Sequence, residues 1–305
     1  MKIIFFGSAS IGFPTLEKLL VGNDELLAVV TQPDRPAGRN RKLTPCPVKQ
    51  FAIERRIPVL SPENVKDGYE ELAALNADLF IVIAYGQYIP KAIRELPPHG
   101  AINLHPSLLP EYRGSSPIQW AIANGDTVTG VSIIYVAKKM DAGDILLQQE
   151  FPIHPDDTAV ALEPKLAELG AELLMNAVEQ IRNDTVSATP QDETAATEIR
   201  KLTKEDGIID WTQPAENIFN RIRAFQPWPA MSCELPNGER LKILRAVVEA
   251  GTGAPGEVLN IDKTGPLIAA GKNALRLLEV QPAGKKIMSA ADWLRGHNLS
   301  AGVLK

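Results

Sequence analysis

Apolar positions along the chain fall into short dense runs separated by segments with helical spacing. Lys2–Phe6 reads as a buried strand, followed by a tight Gly7–Gly12 turn and a helix over Pro14–Leu20. Leu26–Thr31, Val59–Leu60 and Asp78–Tyr85 read as further strands, with helical spacing at Val48–Arg56 and Tyr69–Leu75 between them. Strands alternating with helices in this way predict an α/β fold with a parallel-rich sheet wound by right-handed crossovers. After His105 the pattern predicts a helix over Pro117–Ala123 and strands over Gly130–Val136 and Asp144–Phe151. A long amphipathic helix over Leu162–Arg182 follows, placed to pack across the sheet.

The apolar period then stops. Asn183–Ala196 is rich in Asn, Asp, Thr, Ser, Pro and Gln, the composition of a linker. Ala215–Arg223 is helical, and from Met231 short strands are punctuated by Pro236-Asn237-Gly238, Pro255-Gly256 and Gly265-Pro266. Short strands broken by Gly and Pro turns predict a small β-barrel or sandwich. The expected organisation is a domain over 1–183, a linker over 184–206 and a second domain over 207–305.

Composition changes little in this picture. The 305 residues are 45% hydrophobic and 23% charged with a net charge of −5, ordinary for a soluble protein and no sign of a polyanion binder. Residues 201–305 hold 14 Lys and Arg against 11 acids, whereas the other 200 residues hold 18 against 26, which weakly favours an anionic partner for the C-terminal part. Cys46 and Cys233 have no metal-ligand spacing, so neither a disulfide framework nor a metal site is expected. No apolar run approaches membrane-spanning length and no leader precedes Lys2, so the expected setting is cytoplasmic, without membrane contact.

The chemistry concentrates in Asn103-Leu104-His105-Pro106-Ser107-Leu108-Leu109-Pro110. Residues two apart on a strand face the same way, so Asn103 and His105 present an amide donor and an imidazole side by side. Pro106 stops the strand, placing both at its carboxyl end, where open α/β sheets bind ligands. Asp141 or Asp144, bracketing Ala142-Gly143, could orient the imidazole so that it donates to a developing oxyanion beside Asn103. No Ser or Cys stands out as a nucleophile, which favours direct acyl transfer between two bound substrates. Gly7–Gly12 lacks the dinucleotide fingerprint and reads as a turn.

Three further segments leave alternatives open. The polar loop Pro33–Leu43 carries Arg35, Arg39, Arg41 and Lys42, and is either a phosphate-binding device or a solvated surface loop. Arg113, in Tyr112-Arg113-Gly114-Ser115-Ser116, binds either an anionic substrate group or a neighbouring carboxylate; Ser115 or Ser116 is expected to cap the next helix. Arg221–Ala230 pairs two arginines with Phe225 and Trp228, and is either a nucleic-acid contact or a helix end packed beneath a Pro-rich turn, with packing the favoured role for both aromatics. His99, His154 and His297 lack such company and read as structural or exposed.

These residues resemble the formyltransferases that use 10-formyltetrahydrofolate, and within them those acting on methionyl-tRNA. Asn103, His105, the Ser-Leu-Leu-Pro segment and the Asp141 loop carry the general resemblance. Thr31–Arg39, Gln191-Asp192-Glu193-Thr194 with Ile209-Asp210-Trp211, Arg223–Pro229 and Leu278–Met288 carry the narrower one. The resemblance implies a Rossmann-like N-terminal domain and a C-terminal barrel similar to an OB fold. It also implies transfer of a formyl group to initiator methionyl-tRNA for translation initiation, by a monomer and without a metal. Asn103, His105 and Asp141 would be catalytic. Ser107, Leu108, Leu109 and Pro110, with Ala84, Tyr85 and Gly86, would hold the folate cosubstrate. Arg39, with Arg35, Arg41 and Lys42, would meet the tRNA. Asn40, where a Gly is usual, and Glu111, where a basic residue is common, depart from the family pattern.

Overall fold

The computed structural model describes residues 1–37, 42–297, 299, 303 and 304. The chain divides into two compact units. The first comprises Met1–Gly114, Val128–Pro152 and Glu163–Glu198; the second comprises Ser115–Thr127, Ile153–Leu162 and the chain from Ile199 onward.

A seven-stranded sheet forms the first unit. Its strands are β1 (Lys2–Gly7), β2 (Glu25–Val30), β3 (Val59–Leu60), β4 (Leu79–Ile83), β5 (Ala101–His105), β6 (Val128–Tyr135) and β7 (Ile145–Pro152), in the spatial order β7-β6-β5-β4-β1-β2-β3. The first five strands run parallel, and β6 and β7 add an antiparallel edge. β1 shows why this sheet is central: Ile3, Ile4, Phe5 and Phe6 are all fully buried, as in a strand covered on both faces. On one face Phe6 packs against Phe80 and edge-on to Tyr85. On the other, the Phe5 ring fills the space beside Gly7 and Gly12; a Cβ on Gly7 would come within 2.5 Å of it. The Gly7–Gly12 turn thus serves packing.

Leu104, between Asn103 and His105, points to the opposite face and lies so close to Gly170 of the helix Ala159–Arg182 that a Cβ there would sit 2.6 Å from it. That helix therefore covers the face away from the two polar side chains.

Residues 184–198, expected as the start of a linker, make backbone pairs with the first unit: Thr189 and Ile145 exchange two hydrogen bonds of 2.8 Å.

The second unit is built on an antiparallel sheet, the architecture expected from the short strands. Its strands are β8 (Ser232–Glu234), β9 (Arg240–Glu249), β10 (Val258–Asp262), β11 (Gly265–Ala269), β12 (Ala274–Pro282) and β13 (Met288–Ser289). They run in the order β8-β9-β12-β11-β10, with β13 beside β12. The helix Ala215–Ala224 packs against the helix Pro117–Asn124 and against β9. Phe225 is fully buried, 5.7 Å edge-on to Trp120, as its packing role requires. Trp228 is 47% exposed and does not share that role. Arg223 is buried against the carbonyls of His154 and Asp157, and desolvation holds its pKa below the usual guanidinium value. Ser116 occupies the helix N-cap position, but in the left-handed region at φ 69°, where its side chain makes no capping bond.

Candidate active site

β5 delivers Asn103 and His105 to the carboxyl edge of the parallel strands, next to β4 and across from β6, where His105 pairs with Ser132. The sheet order reverses direction around β1 and β4, so this edge lies beside the crevice where such folds bind ligands. The Asn103 amide is half-buried and makes no hydrogen bond to any described residue, so it remains available.

His105 is buried and held by two neighbours. Its Nε2 lies 2.9 Å from the Tyr112 carbonyl. A carbonyl only accepts, so Nε2 carries a proton, and Nδ1 is left as the ring atom that can gain or give one. Asp141 Oδ2 lies 3.6 Å from Nδ1 and also accepts the Gly114 N–H at 3.0 Å. Of the two acids bracketing Ala142-Gly143, Asp141 is the one that reaches the imidazole. The loop that carries Asp141 is compact: Asp141 sits at φ 50°, and a Cβ on Gly143 would fall 1.7 Å from the Tyr135 carbonyl. Only glycine fits at 143.

The segment after β5 is fixed by buried polar bonds. Ser132, fully buried in β6, donates to the Ser107 carbonyl at 2.6 Å and accepts the Leu109 N–H at 3.0 Å. Gln148 donates to the Leu109 carbonyl and to Ser132, both at 2.7 Å. Ser107 Oγ donates to the Glu111 carbonyl, and Leu108 lies over Gly130, where a Cβ would meet it at 2.4 Å. Ser107–Pro110 is thus a rigid wall beside His105. Across the β4–β5 boundary, Ala84 and Gly86 are exposed with φ of 49° and 83°. A Cβ on Gly86 would meet only Gln32 Nε2, at 3.5 Å, so a ligand can approach this backbone closely. Tyr85 turns its ring inward; burial pushes its phenol up to about 12, and only its backbone faces outward chemistry, its carbonyl already accepting from Ser8 and Gln32.

Arg113 resolves in favour of a neighbouring carboxylate. It is 2% exposed and bonds Glu193 at 2.8 Å and the Gln191 side-chain oxygen at 2.9 Å. The Arg113 bond holds the Glu193 carboxyl below the usual carboxylate range, with Lys139 assisting. Sequence reading did not assign functions to Ser132, Gln148 or Gln191. A serine inside the apolar run Val131-Ser132-Ile133 was the available signal for the first, since a buried hydroxyl must find partners.

The basic loop opens as a hairpin, Arg35–Ala37 pairing with Lys42–Thr44. Arg35 is exposed and bonds Glu63 at 3.0 Å; Lys42 is exposed. Arg39, Arg41 and Asn40 lie outside the described residues. Among the described residues no group of three or more His, Cys, Asp or Glu could hold a metal ion, and no helix is long and apolar enough to cross a membrane.

Comparison with known proteins gives the family. Residues 1–178 match the family Formyl transferase, and residues 201–298 match Formyl transferase, C-terminal domain. The chain belongs to the formyl transferase family. It is 45% identical to a methionyl-tRNA formyltransferase from Desulfotalea psychrophila, covering 99% of this chain and 94% of the relative. It is 40% identical to one from Geobacter metallireducens, covering 99% and 98%. Among solved structures, the sugar 3N-formyl transferase WlaRD superposes with a TM-score of 0.68 at 19% identity, covering 94% of this chain and 99% of that one. HypX from Aquifex aeolicus, solved with tetrahydrofolic acid, gives 0.64 at 20%, covering 96% and 47%. At those identities the likeness establishes the fold.

Proposed function

We infer that this formyl transferase moves the formyl group of 10-formyltetrahydrofolate to the free amine of initiator methionyl-tRNA, giving N-formylmethionyl-tRNA for translation initiation. The observation that carries the acceptor is the 39–45% identity, over nearly the whole chain and across both domain matches, to relatives named methionyl-tRNA formyltransferase. The sugar-modifying neighbours share far less sequence.

The residues present fit a formyl donor: an unpaired amide and an imidazole stand together at the strand end, beside exposed backbone at Ala84 and Gly86. In the proposed reaction the neutral amine attacks the formyl carbon. Asn103 and the Nδ1–H of protonated His105 donate to the oxygen as it gains charge. Asp141 keeps that imidazolium in place through its carboxylate, and with a water it passes the amine proton to N10 of the folate. The new C–N bond forms as the bond to N10 breaks, so atoms and charge balance without a covalent enzyme intermediate. Ser107–Pro110 with Ala84, Tyr85 and Gly86 bind the folate, Tyr85 through its backbone. Arg35, Arg39, Arg41 and Lys42 contact tRNA phosphates. The chain acts as a cytoplasmic monomer.

The test is transfer of labelled formyl from 10-formyltetrahydrofolate to charged initiator methionyl-tRNA, with elongator methionyl-tRNA alongside. Fast, initiator-selective labelling is expected. Label appearing on an amino-sugar nucleotide, or released as formate with tRNA unlabelled, would overturn the acceptor.

A further inference from the structure

The segment that follows the helix Ala159–Arg182 ties together the two loops that hold His105 and Asp141, and Gln191 is its centre. Gln191 Nε2 donates to the carbonyls of Asp141 at 2.8 Å and of Gly143 at 2.7 Å. Its Oε1 accepts from Arg113 Nε at 2.9 Å. One side chain therefore spans the Asp141 loop and the Tyr112–Gly114 segment, and that segment supplies the carbonyl holding His105 Nε2 and the N–H holding Asp141 Oδ2. The bonds on either side of it repeat the pattern. Thr189 pairs with Ile145, beyond the Asp141 loop. Glu193 bridges Arg113 and Lys139, one from each loop. Thr197 accepts the Tyr112 N–H on its Oγ1 and the Arg113 N–H on its carbonyl, and donates to the Pro110 carbonyl.

We propose that Gln191 is a positioning residue for formyl transfer: it sets the separation of Asp141 and His105 by clamping their two loops to each other. The proposal rests on the reading of the site given above. The Asp141 carboxylate has one bond of its own to a backbone N–H, and its loop runs through a strained φ of 50°. Such a loop needs an external tie, and Gln191 grips it at both ends of the Asp141–Gly143 turn. Removing the two donors releases the turn while leaving Asp141 in the chain, and a misplacement of about 1 Å at a reacting group costs about a hundredfold in rate. The Gln191 amide is engaged by Asp141, Gly143 and Arg113, so its effect is expected on turnover.

The experiment compares Gln191→Met, which keeps bulk and loses both donors, and Gln191→Ala with the parent protein. Turnover and KM for each substrate are measured, together with 15N spectra of the histidine rings; the chain has four histidines, and His105 is assigned from His105→Gln. Expected are a fall in kcat of about tenfold to a hundredfold, KM values within about twofold of the parent, and a displaced His105 ring signal in protein without substrates. A lowered melting temperature with kcat and the His105 signal unchanged would make Gln191 merely structural and overturn the proposal. Should the parent label no methionyl-tRNA, the acceptor reading fails alone, because the ring spectra still report whether Gln191 sets the geometry. If Gln191→Met does not fold, Gln191→Glu, which keeps the Arg113 acceptor and turns a second carboxylate oxygen on the two carbonyls, supplies the same readouts.

Discussion

Two loops leave the carboxyl edge of the parallel strands, and they are held in opposite ways. The segment after β5 is fastened from beneath: fully buried Ser132 bonds Ser107 and Leu109, and Gln148 bonds Leu109 and Ser132. The hairpin after β2 carries the exposed ion pair of Arg35 with Glu63, the half-buried pair of Lys49 with Asp34 flanks it, and Leu43 at its edge is 64% exposed. A buried hydrogen bond that is broken costs its unsatisfied groups about 1–3 kcal/mol, whereas an exposed ion pair contributes about 0–1 kcal/mol. On the proposed function, the chain spends its strong interactions beside the reacting groups and leaves weak ones where the tRNA would supply order on binding.

The sharpest challenge to that contrast is removal of the group the first loop frames. His105→Ala should lower turnover by about a hundredfold to a thousandfold with folate and tRNA binding largely retained. Turnover within a few-fold of the parent would take His105 out of the chemistry. Next in size, Ser132→Ala leaves the Leu109 N–H and the Ser107 carbonyl without their partner. Stability should fall by about 1–3 kcal/mol, and KM for 10-formyltetrahydrofolate should rise by about tenfold while KM for tRNA stays unchanged, as read from steady-state kinetics and thermal unfolding. Equal changes in both KM values would mean that the loop's anchoring has no particular connection with the folate.

What was legible in the sequence follows the same division. Period-two alternation placed Asn103 and His105 on one face and Leu104 on the other, because a strand's geometry is local. The dense apolar run of β1 marked a doubly covered strand for the same reason. From local pattern alone Asp141 could be narrowed only to one of two acids, and the family resemblance had to choose it, since the choice depends on a turn with φ 50° and on Gly143 lying against the Tyr135 carbonyl. Gln191 could not be read as a tie at all. Its polar surroundings have linker composition, and its partners lie 78 residues away at Arg113 and 50 at Asp141. Nothing local encodes such a bond. Arg113 remained ambiguous for the same reason, its fate being decided by Glu193, 80 positions on.

On the exposed side of the contrast, Lys42→Ala should raise KM for methionyl-tRNA by about threefold to tenfold and lower the salt slope of tRNA binding by about one, with kcat unchanged. A fall in kcat would place the hairpin with the chemistry and erase the distinction between the two loops.

The smallest effect is expected at Arg200–Asp206 in the second unit, where the value of a half-exposed ion pair can be read by pH. Arg200 is 59% exposed and donates from two nitrogens to Asp206, which also accepts the Thr203 N–H and hydroxyl. The Arg200 bonds, helped by Thr203 against the cost of burial, hold the Asp206 carboxyl down at about 2. A depressed carboxylate adds stability that is complete above the unfolded value near 4 and is lost as pH falls from about 4 through about 2. The full depression would be worth about 2 kcal/mol, and solvent screening at Arg200 reduces that to about 1 kcal/mol. Asp206→Asn should therefore melt lower than the parent at pH 7, and the gap should close as the pH approaches 2. A gap that persists in acid would assign the effect to the Thr203 hydrogen bonds, which an amide oxygen can only partly replace, and would mean that even here a shielded bond outweighs an exposed charge.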